Sequence, residues 1–286
     1  MATKPRSFKK MPFLPDLAGM SGFVTFVVVL LFNKGRSLID GDTFWHLAAG
    51  RHMLENGVIL TQDIFSHTAL GKSWTAHEWL SEILMAWLHQ YFGLTGTVLF
   101  FFLIAALSFW LLFRIVSTVA GDWAAAFAVS LALIFSMQHM LVRPHLFSWL
   151  FGVITLHALH KQGRWLWILP PLTILWTNLH DGFILGLALQ GLFIGGTVLD
   201  GLFSGSDTKI KSLFGNVKGP AIFFFLSIVG TGINPFGFKL LIFPFLVSSE
   251  IFSTNIQEWL PANLQQDWHF RLFLLSVLVL MSLRAT

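Results

Sequence analysis

Residues 94–113 read LTGTVLFFFLIAALSFWLLF, a run of 20 residues that contains no charged side chain. About 20 predominantly apolar residues are enough for an α-helix to cross the hydrocarbon core of a bilayer. We therefore predict a membrane span over about Leu94–Ile115. Several other apolar segments along the chain have similar composition, so this segment indicates the class of the whole molecule.

The overall composition agrees with that class. Of the 286 residues, 55% are hydrophobic and only 11% are charged, and the mean hydropathy is +0.71. A soluble domain carries about 25% charged residues, which is what it needs to face water. The sequence therefore predicts an all-α fold, a polytopic transmembrane helical bundle of about eight spans.

Two features of the composition exclude other classes. Cysteine is absent, so disulfides and thiolate chemistry are excluded. The net charge of +4 and the pI near 9.6 would suit a nucleic-acid-binding protein. However, the basic residues form short clusters beside apolar segments, a pattern typical of membrane topology. We expect membrane lipid, and no nucleic acid, as a partner.

The predicted spans divide a single membrane domain, residues 1–286, into helices and two outside loops. We expect the first span at 17–32, an outside loop with two amphipathic helices at 33–93, spans two to seven within 94–233, a second outside loop at 234–269 and the last span at 270–283. Spans three to seven are predicted at about Trp123–Leu141, Leu146–Leu159, Trp165–Asn178, Phe183–Leu202 and Pro220–Ile233. A polar linker is expected at Ser204–Lys218 and a re-entrant or interfacial segment at Phe238–Val247.

The distribution of lysine and arginine predicts the orientation. With a cytoplasmic N-terminus, eleven of these residues fall inside and seven outside, which agrees with the positive-inside rule. No small-residue cleavage site follows Phe32, so we expect the first span to be retained as a signal anchor. These features predict a protein of the cytoplasmic (inner) membrane whose polar loops face the periplasm or the exterior.

The first outside loop opens with the sequence DGDTFWH, residues 40–46. A helix is predicted over Thr43–Asn56, closed by Gly57. Asp40 or Asp42 could simply cap this helix, because Asp is a favoured N-cap residue. Alternatively, Asp42 and His46, one turn apart, suit a general base or a clamp for a divalent cation. If a metal such as Mg²⁺ or Mn²⁺ binds, Asp40 and Asp42 are the expected ligands.

A second helix in this loop is amphipathic. The apolar residues of Glu78–Phe92 recur at helical spacing, and Gly93 is expected to close the helix. His77 and Glu78 stand at its N-terminus, where acidic residues are favoured, so capping accounts for them as well as substrate binding does.

Two further polar groups stand at span ends on the same predicted face. Arg143 and His145 flank Pro144, and either interfacial snorkelling or contact with a phosphate explains the arginine. His180 and Asp181 lie between two spans, where a polar turn is the simpler interpretation. Together these four residues are candidate substrate-binding groups.

The order of these features resembles a known family. The acidic DGD is followed by His46, Gly50 and Arg51, then by DIFSHTALGKSW at residues 63–74, then by EWLSE at residues 78–82. This arrangement is similar to the glycosyltransferase C superfamily, which includes protein O-mannosyltransferases, lipid A aminoarabinose transferases and the catalytic subunit of oligosaccharyltransferase. Bacterial members are the most similar in character.

The resemblance covers most of the chain and implies a function. Members transfer a sugar from a polyprenyl phosphate or pyrophosphate, and the acidic motif of the first outside loop supplies the catalytic base or a metal contact. Asp42 matches that acidic position best, with Asp40 second, and Arg143 and the pair His180 and Asp181 are candidates for donor phosphate or acceptor contacts. Many members are longer and carry additional spans or a soluble domain.

The resulting hypothesis is inverting sugar transfer from a polyprenyl-phosphate donor to an unidentified acceptor on the non-cytoplasmic face. Two alternatives are not enzymes. One is a transporter or flippase of a lipid-linked or anionic solute, which ionisable residues in the middle of spans would favour. The other is a non-catalytic assembly subunit of a membrane complex.

Overall fold

A computed structural model describes residues 16–33, 38, 40–203, 207–247, 271 and 274–276. Within these residues the chain is helical and contains no β-strand, which confirms the all-α prediction. The helices are α1 (Leu17–Asn33), α2 (Gly41–Asn56), α3 (Trp79–Ala120), α4 (Asp122–Ser136), α5 (His145–Lys161), α6 (Leu169–Leu179), α7 (Phe183–Phe203), α8 (Asp207–Gly230) and α9 (Lys239–Val247). Short 3₁₀ turns occupy Met137–His139 and Gly163–Ile168.

Two of the described helices, α3 and α7, are long and apolar enough to cross a membrane. Shorter apolar helices cover Leu17–Val28 and Gly215–Gly230. This supports association with a membrane only weakly, since long apolar helices also occur in the cores of soluble proteins. The predicted last span, Phe270–Leu283, and the polar segment Ser248–His269 lie largely or wholly outside the described residues.

Gly93 divides α3 into two segments. Its backbone dihedrals, φ 65° and ψ −174°, are non-helical, and a glycine adopts a positive φ without the steric cost that a Cβ would bring. The amphipathic segment that starts at Trp79 therefore ends where the sequence predicts, and the apolar segment begins at Leu94. The first segment carries polar groups toward α2, whereas the second belongs to the hydrophobic bundle.

α2 lies directly against the first segment of α3. It begins at Gly41, two residues before the predicted start, and its N-cap is Asp40, whose side chain accepts a hydrogen bond from the Asp42 N–H (3.3 Å). At Gly50 a Cβ would lie 1.8 Å from the Glu82 carbonyl oxygen, so only glycine permits this close approach. The C-terminal Gly57 adopts the left-handed conformation typical of a helix end.

The apolar core connects α3 to α5, α6 and α7. Phe101 of α3 packs edge to face on Phe147 of α5 with ring centroids 5.6 Å apart, and Phe151 meets Trp176 of α6 at the same distance. Trp176 is fully buried. On α7, a Cβ at Gly186 would come within 2.6 Å of the Trp176 ring, so glycine allows α6 and α7 to touch.

Two predicted segments differ from the structure. The linker predicted at Ser204–Lys218 is wrong from Asp207 onward, because these residues form the first half of α8. Lysine and serine are compatible with a helix interior, so polarity alone does not end a helix. The span predicted at Trp165–Asn178 is a 3₁₀ turn up to Ile168 and an α-helix only from Leu169, with Pro170 and Pro171 in its first turn, where proline is favoured.

Candidate active site

Polar residues from four separate parts of the sequence meet in one cavity of about 520 Å³. They come from the start of α2, the loop before α3, the turn before α5 and the turn between α6 and α7. The residues that line the cavity are Asp42, Trp45, His46, Trp74, Ala76, His77, Glu78, Glu82, His139, Leu141, Arg143, Pro144, His145, His180 and Asp181. Eight of the nine residues proposed from sequence are therefore brought together here, and Asp40 lies immediately behind Arg143.

Arg143 holds the start of α2 against the turn before α5. Its Nε and Nη2 donate to the two carboxylate oxygens of Asp40, and its Nη1 lies 3.2 Å from Asp42 Oδ2. The neighbouring Thr43 hydroxyl donates to the Val142 carbonyl at 3.1 Å. Burial alone would raise the pKa of Asp40, but the hydrogen bond and charge of Arg143 lower it overall.

The two aspartates of the DGD sequence are thus different groups. Asp40 is partly buried, caps α2 and neutralises Arg143, whereas the Asp42 side chain is 62% exposed at the cavity. Of the two residues that the sequence offered as the cap, Asp40 is the N-cap, whereas Asp42, predicted to precede the helix, lies inside its first turn. Asp42 is consequently the carboxylate of this pair that an incoming molecule can reach.

His46 lies between two buried carboxylates of α3. Its Nδ1 is 3.2 Å from Glu82 Oε1 and its Nε2 is 3.6 Å from Glu78 Oε2. Burial would lower the pKa of His46, but the hydrogen bond to Glu82 and the charges of Glu78 and Glu82 raise it overall. The second carboxylate oxygen of Glu82 is buried and has no hydrogen-bond partner.

Glu78 is the central acid of the cluster. It occupies the N-cap position of α3 as predicted, yet its side chain makes no capping hydrogen bond. Instead its carboxylate faces His46, His77 (3.9 Å) and His180 (3.4 Å). Burial would raise the pKa of Glu78, but the charges of His77, His180 and His46 lower it overall.

The surroundings of His180 determine its tautomer. The Gly182 N–H donates to its Nδ1 at 2.8 Å, and the Ser148 hydroxyl, which accepts from Trp176 Nε1 at 2.7 Å, lies 2.8 Å from the same nitrogen. Asp181 Oδ1 is also 3.2 Å away, but a backbone N–H can only donate, so Nδ1 must accept. The proton of the neutral ring is therefore on Nε2, directed at Glu78.

His145 belongs to the opposite wall. Its Nε2 lies 2.7 Å from the His139 carbonyl oxygen, and its ring packs edge to face against Trp149 with centroids 5.6 Å apart. The remaining candidate, His77, is fixed from the far side by the ring of Phe243 in α9, with centroids 4.7 Å apart. Both imidazoles are held in place and border the cavity.

A divalent cation fits these residues poorly. Glu78, His180 and Asp181 bring ligand atoms within 4.8 Å of one another. However, a metal-bound histidine ordinarily donates its other N–H to an acceptor, whereas Nδ1 of His180 accepts. At the expected alternative, both oxygens of Asp40 already contact Arg143. A requirement for Mg²⁺ or Mn²⁺ stays a prediction.

Some residues that hold the polar cluster together were not proposed from sequence. Glu82 lies on the polar side of an amphipathic helix, which a sequence reader assigns to solvent, and here that side faces α2. Ser148 and Trp176 belong to apolar helices, and Gly182 occupies a turn. Ser148 and Gly182 contact His180, and Trp176 donates to Ser148, so the tertiary arrangement identifies this group.

No protein-family model, no curated protein and no solved structure matches the chain. The functional interpretation therefore rests on the motifs of the sequence and on the geometry of this cavity.

Proposed function

We propose that the protein is a membrane glycosyltransferase that transfers a sugar from a polyprenyl-phosphate donor to an acceptor hydroxyl on the non-cytoplasmic face of the cytoplasmic membrane. The observation that carries this proposal is the shared cavity of Asp42, Arg143 and Asp181, which are far apart in sequence. An exposed carboxylate beside partly buried histidines and the buried acids Glu78 and Glu82 suits general-base chemistry on a polar substrate.

Asp42 is the proposed base. It takes the proton of the acceptor hydroxyl, whose oxygen then attacks the anomeric carbon of the donor sugar. The bond from that carbon to the phosphate oxygen breaks, and the polyprenyl phosphate leaves with the bonding electrons. Attack from the face opposite the phosphate inverts the anomeric configuration. Arg143, 3.2 Å from Asp42, holds the carboxylate in position.

The role of Arg143 toward the donor phosphate is limited by its pairing. Arginine binds phosphates well through two parallel hydrogen bonds. Here two of its nitrogens already contact Asp40, which neutralises the guanidinium. We therefore assign Arg143 mainly to positioning Asp42 and place the donor phosphate at the rim, beside Arg143 and His145.

An apolar groove suits the lipid part of the donor. It measures about 360 Å³, and its lining includes Trp79, Leu80, Pro171 and Leu175. Trp79 follows Glu78 directly, and its Nε1 donates to Asn178 Oδ1 at 2.9 Å, so one short stretch of chain borders both the polar cavity and the groove. An enzyme acting on a lipid-linked sugar needs such adjacency.

The placement of the titratable groups favours this function over transport. A transporter path is lined by ionisable residues in the middle of spans. The cavity groups instead lie at helix starts, in turns and on the short helix α2. A sugar transferase needs them at such a surface, where donor and acceptor meet.

The test is transfer by the purified full-length protein. Synthetic polyprenyl-phosphate sugars would be supplied with a membrane extract as the acceptor source, and release of polyprenyl phosphate would be measured. We expect Asp42→Asn to reduce release at least about 100-fold, as expected for removal of a general base. Glu55→Gln, an exposed acid on the same helix, is the matched control and should leave release unchanged.

Full activity of Asp42→Asn would overturn the assignment of the base. If no donor of this class is consumed by the wild-type protein, the enzyme proposal fails, and a non-catalytic role of the cavity becomes the better explanation.

A further inference from the structure

We propose that Trp45 and Trp74 form an aromatic wall on which the sugar ring of the donor stacks, and that the cavity selects neutral sugars over acidic ones. This inference rests on the proposed function for the origin of the sugar, but its central claim is a binding claim. The experiment below therefore measures binding separately from transfer.

The two tryptophans form one continuous aromatic surface with Phe65. The rings of Trp45 and Trp74 lie edge to face with centroids 5.6 Å apart, and Trp45 meets Phe65 at 4.7 Å. Both tryptophans are partly exposed, and both line the cavity. Trp45 directly precedes His46 on α2, so the aromatic surface and the acid–histidine cluster share that helix.

The loop that carries Phe65 and Trp74 is held in a fixed shape. The Asp63 carboxylate accepts hydrogen bonds from the N–H groups of Phe65 and Ser66, each at 2.9 Å. The Asp63 N–H donates to the Lys72 carbonyl (2.9 Å), and the Trp74 N–H donates to the Thr61 carbonyl (2.8 Å). A wall that is ordered before binding loses little conformational entropy when a ligand arrives.

The two sides of the cavity match the two kinds of surface on a sugar. A pyranose presents C–H groups with partial positive charge, which are attracted to the electron-rich face of an aromatic ring. It also carries hydroxyls, which donate hydrogen bonds to carboxylates. Asp42, Glu78 and Asp181, which line the cavity, supply such acceptors.

The charges of the cavity narrow the class of ligand. Four carboxylates line it, and two groups offset them: Arg143, which is paired with a fifth carboxylate, Asp40, and His46, whose raised pKa favours a positive charge between Glu78 and Glu82. Because the carboxylates outnumber these offsetting groups, a uronic acid or a free phosphate that entered the cavity beyond its rim would be repelled. A bare polyprenyl chain would leave the carboxylates without donors. A neutral hydroxylated ring satisfies both the wall and the acids.

The experiment is saturation-transfer NMR on the purified full-length protein, with methyl hexosides as probes. We expect saturation of the ring C–H protons by the wild-type protein, about a tenfold weaker affinity in Trp74→Ala, and partial recovery in Trp74→Phe, which keeps a smaller aromatic face. Trp167→Ala removes a tryptophan that is 70% exposed and remote from the cavity, and should bind like the wild type. A methyl hexuronide should give no saturation.

Equal affinity of Trp74→Ala and the wild type would overturn the stacking, as would the absence of any hexoside binding. Equal binding of the hexuronide would overturn the charge selection. Thermal midpoints of the variants check that they fold, and Trp45→Phe provides a second change in the wall. Hexoside binding that depends on Trp74 without any sugar transfer would support this inference and count against the proposed function. If the protein transfers sugar and Trp74→Ala leaves the KM for the donor unchanged, the proposed function would be supported and the stacking on Trp74 would be contradicted.

Discussion

His46 carries the most constrained charge of the site, because it stands between Glu78 and Glu82. Two buried carboxylates one helical turn apart repel each other unless a cation lies between them. The raised pKa of His46 and the lowered pKa of Glu78 describe the same mutual stabilisation from its two sides. The pair therefore fixes α2 on α3 through charge as well as through packing.

This pairing makes the stability of the protein depend on pH. The contribution of His46 to stability is fully present below pH 6.5, which is the ordinary pKa of histidine. It is lost as the pH rises through the higher pKa that His46 has in the folded protein. The contribution of Glu78 to stability is present above pH 4.5, the ordinary pKa of glutamate, and is lost as the pH falls through the lowered pKa of Glu78 in the folded protein. We expect His46→Gln to lower the thermal midpoint most between about pH 4.5 and 6.5, and least above the raised pKa of His46 in the folded protein.

The measurement is thermal unfolding of the full-length protein across this pH range. His67→Gln, a change of an exposed histidine in the neighbouring loop, is the control and should run parallel to the wild type. A difference between His46→Gln and the wild type that stays constant with pH would show that His46 carries no charge in the folded protein.

The sequence identified single residues at this site unevenly. Asp40, Asp42 and His46 stand out because seven residues hold two carboxylates, a histidine and a tryptophan in an otherwise apolar chain. Which aspartate caps and which is exposed depends on Arg143, 103 residues from Asp40, and no local pattern reveals that contact. The contact of Ser148 with His180 could not be predicted either, because a serine in an apolar helix commonly bonds only to the backbone of its own helix.

Among the elements, the contact of α2 with α3 depends on one glycine. A methyl group at Gly50 would occupy the position of the Glu82 backbone carbonyl, which cannot rotate away as a side chain can. We expect Gly50→Ala to lower the thermal midpoint by at least about 5 °C and to reduce transfer, because the helices must separate and His46 moves from its two acids.

Gly41→Ala is the matched control for that change. Gly41 lies in the same helix, and a Cβ there meets nothing within 4 Å, so alanine should be neutral or slightly stabilising. Thermal unfolding of both variants checks the prediction. A Gly50→Ala protein as stable as Gly41→Ala would show that the two helices pack less closely than described.

Elements with a clear start or stop signal were predictable. Gly57 and Gly93 end their helices as expected, and the turn at residues 180–182 separates α6 from α7. The start of α8 was missed because the polar composition from Asp207 to Lys218 was misleading. Polarity reports on solvent exposure, whereas helix boundaries depend on caps and breakers.

For the whole molecule, the orientation in the membrane is the main open prediction. Because cysteine is absent, single cysteines can be introduced and labelled without background. We expect Lys72→Cys in intact cells to react with a membrane-impermeant maleimide, since the first loop should face outward, and Lys161→Cys to react only after permeabilisation. Both lysines are exposed. The reverse labelling pattern would place the cavity on the cytoplasmic side.

The helical architecture of the molecule could be predicted from sequence, whereas its membrane topology could be predicted only in part. The all-α class and the apolar α3 and α7 result from composition and segment length, which sequence shows directly. Eight spans are not established by helix lengths, because α4, α5 and α6 have 15, 17 and 11 residues. Convergence of the polar turns in one cavity was expected from their common face, although their mutual distances depend on packing.

The pairing of Arg143 with Asp40 bears on how a reaction cycle would end. A newly freed phosphate at the rim would face carboxylates, and the nearest guanidinium is already neutralised by Asp40. Repulsion would therefore favour release of the polyprenyl phosphate from the rim, while its apolar chain stays in the bilayer. In such an enzyme product release would be fast, and binding of the next polyprenyl-phosphate sugar would limit the rate.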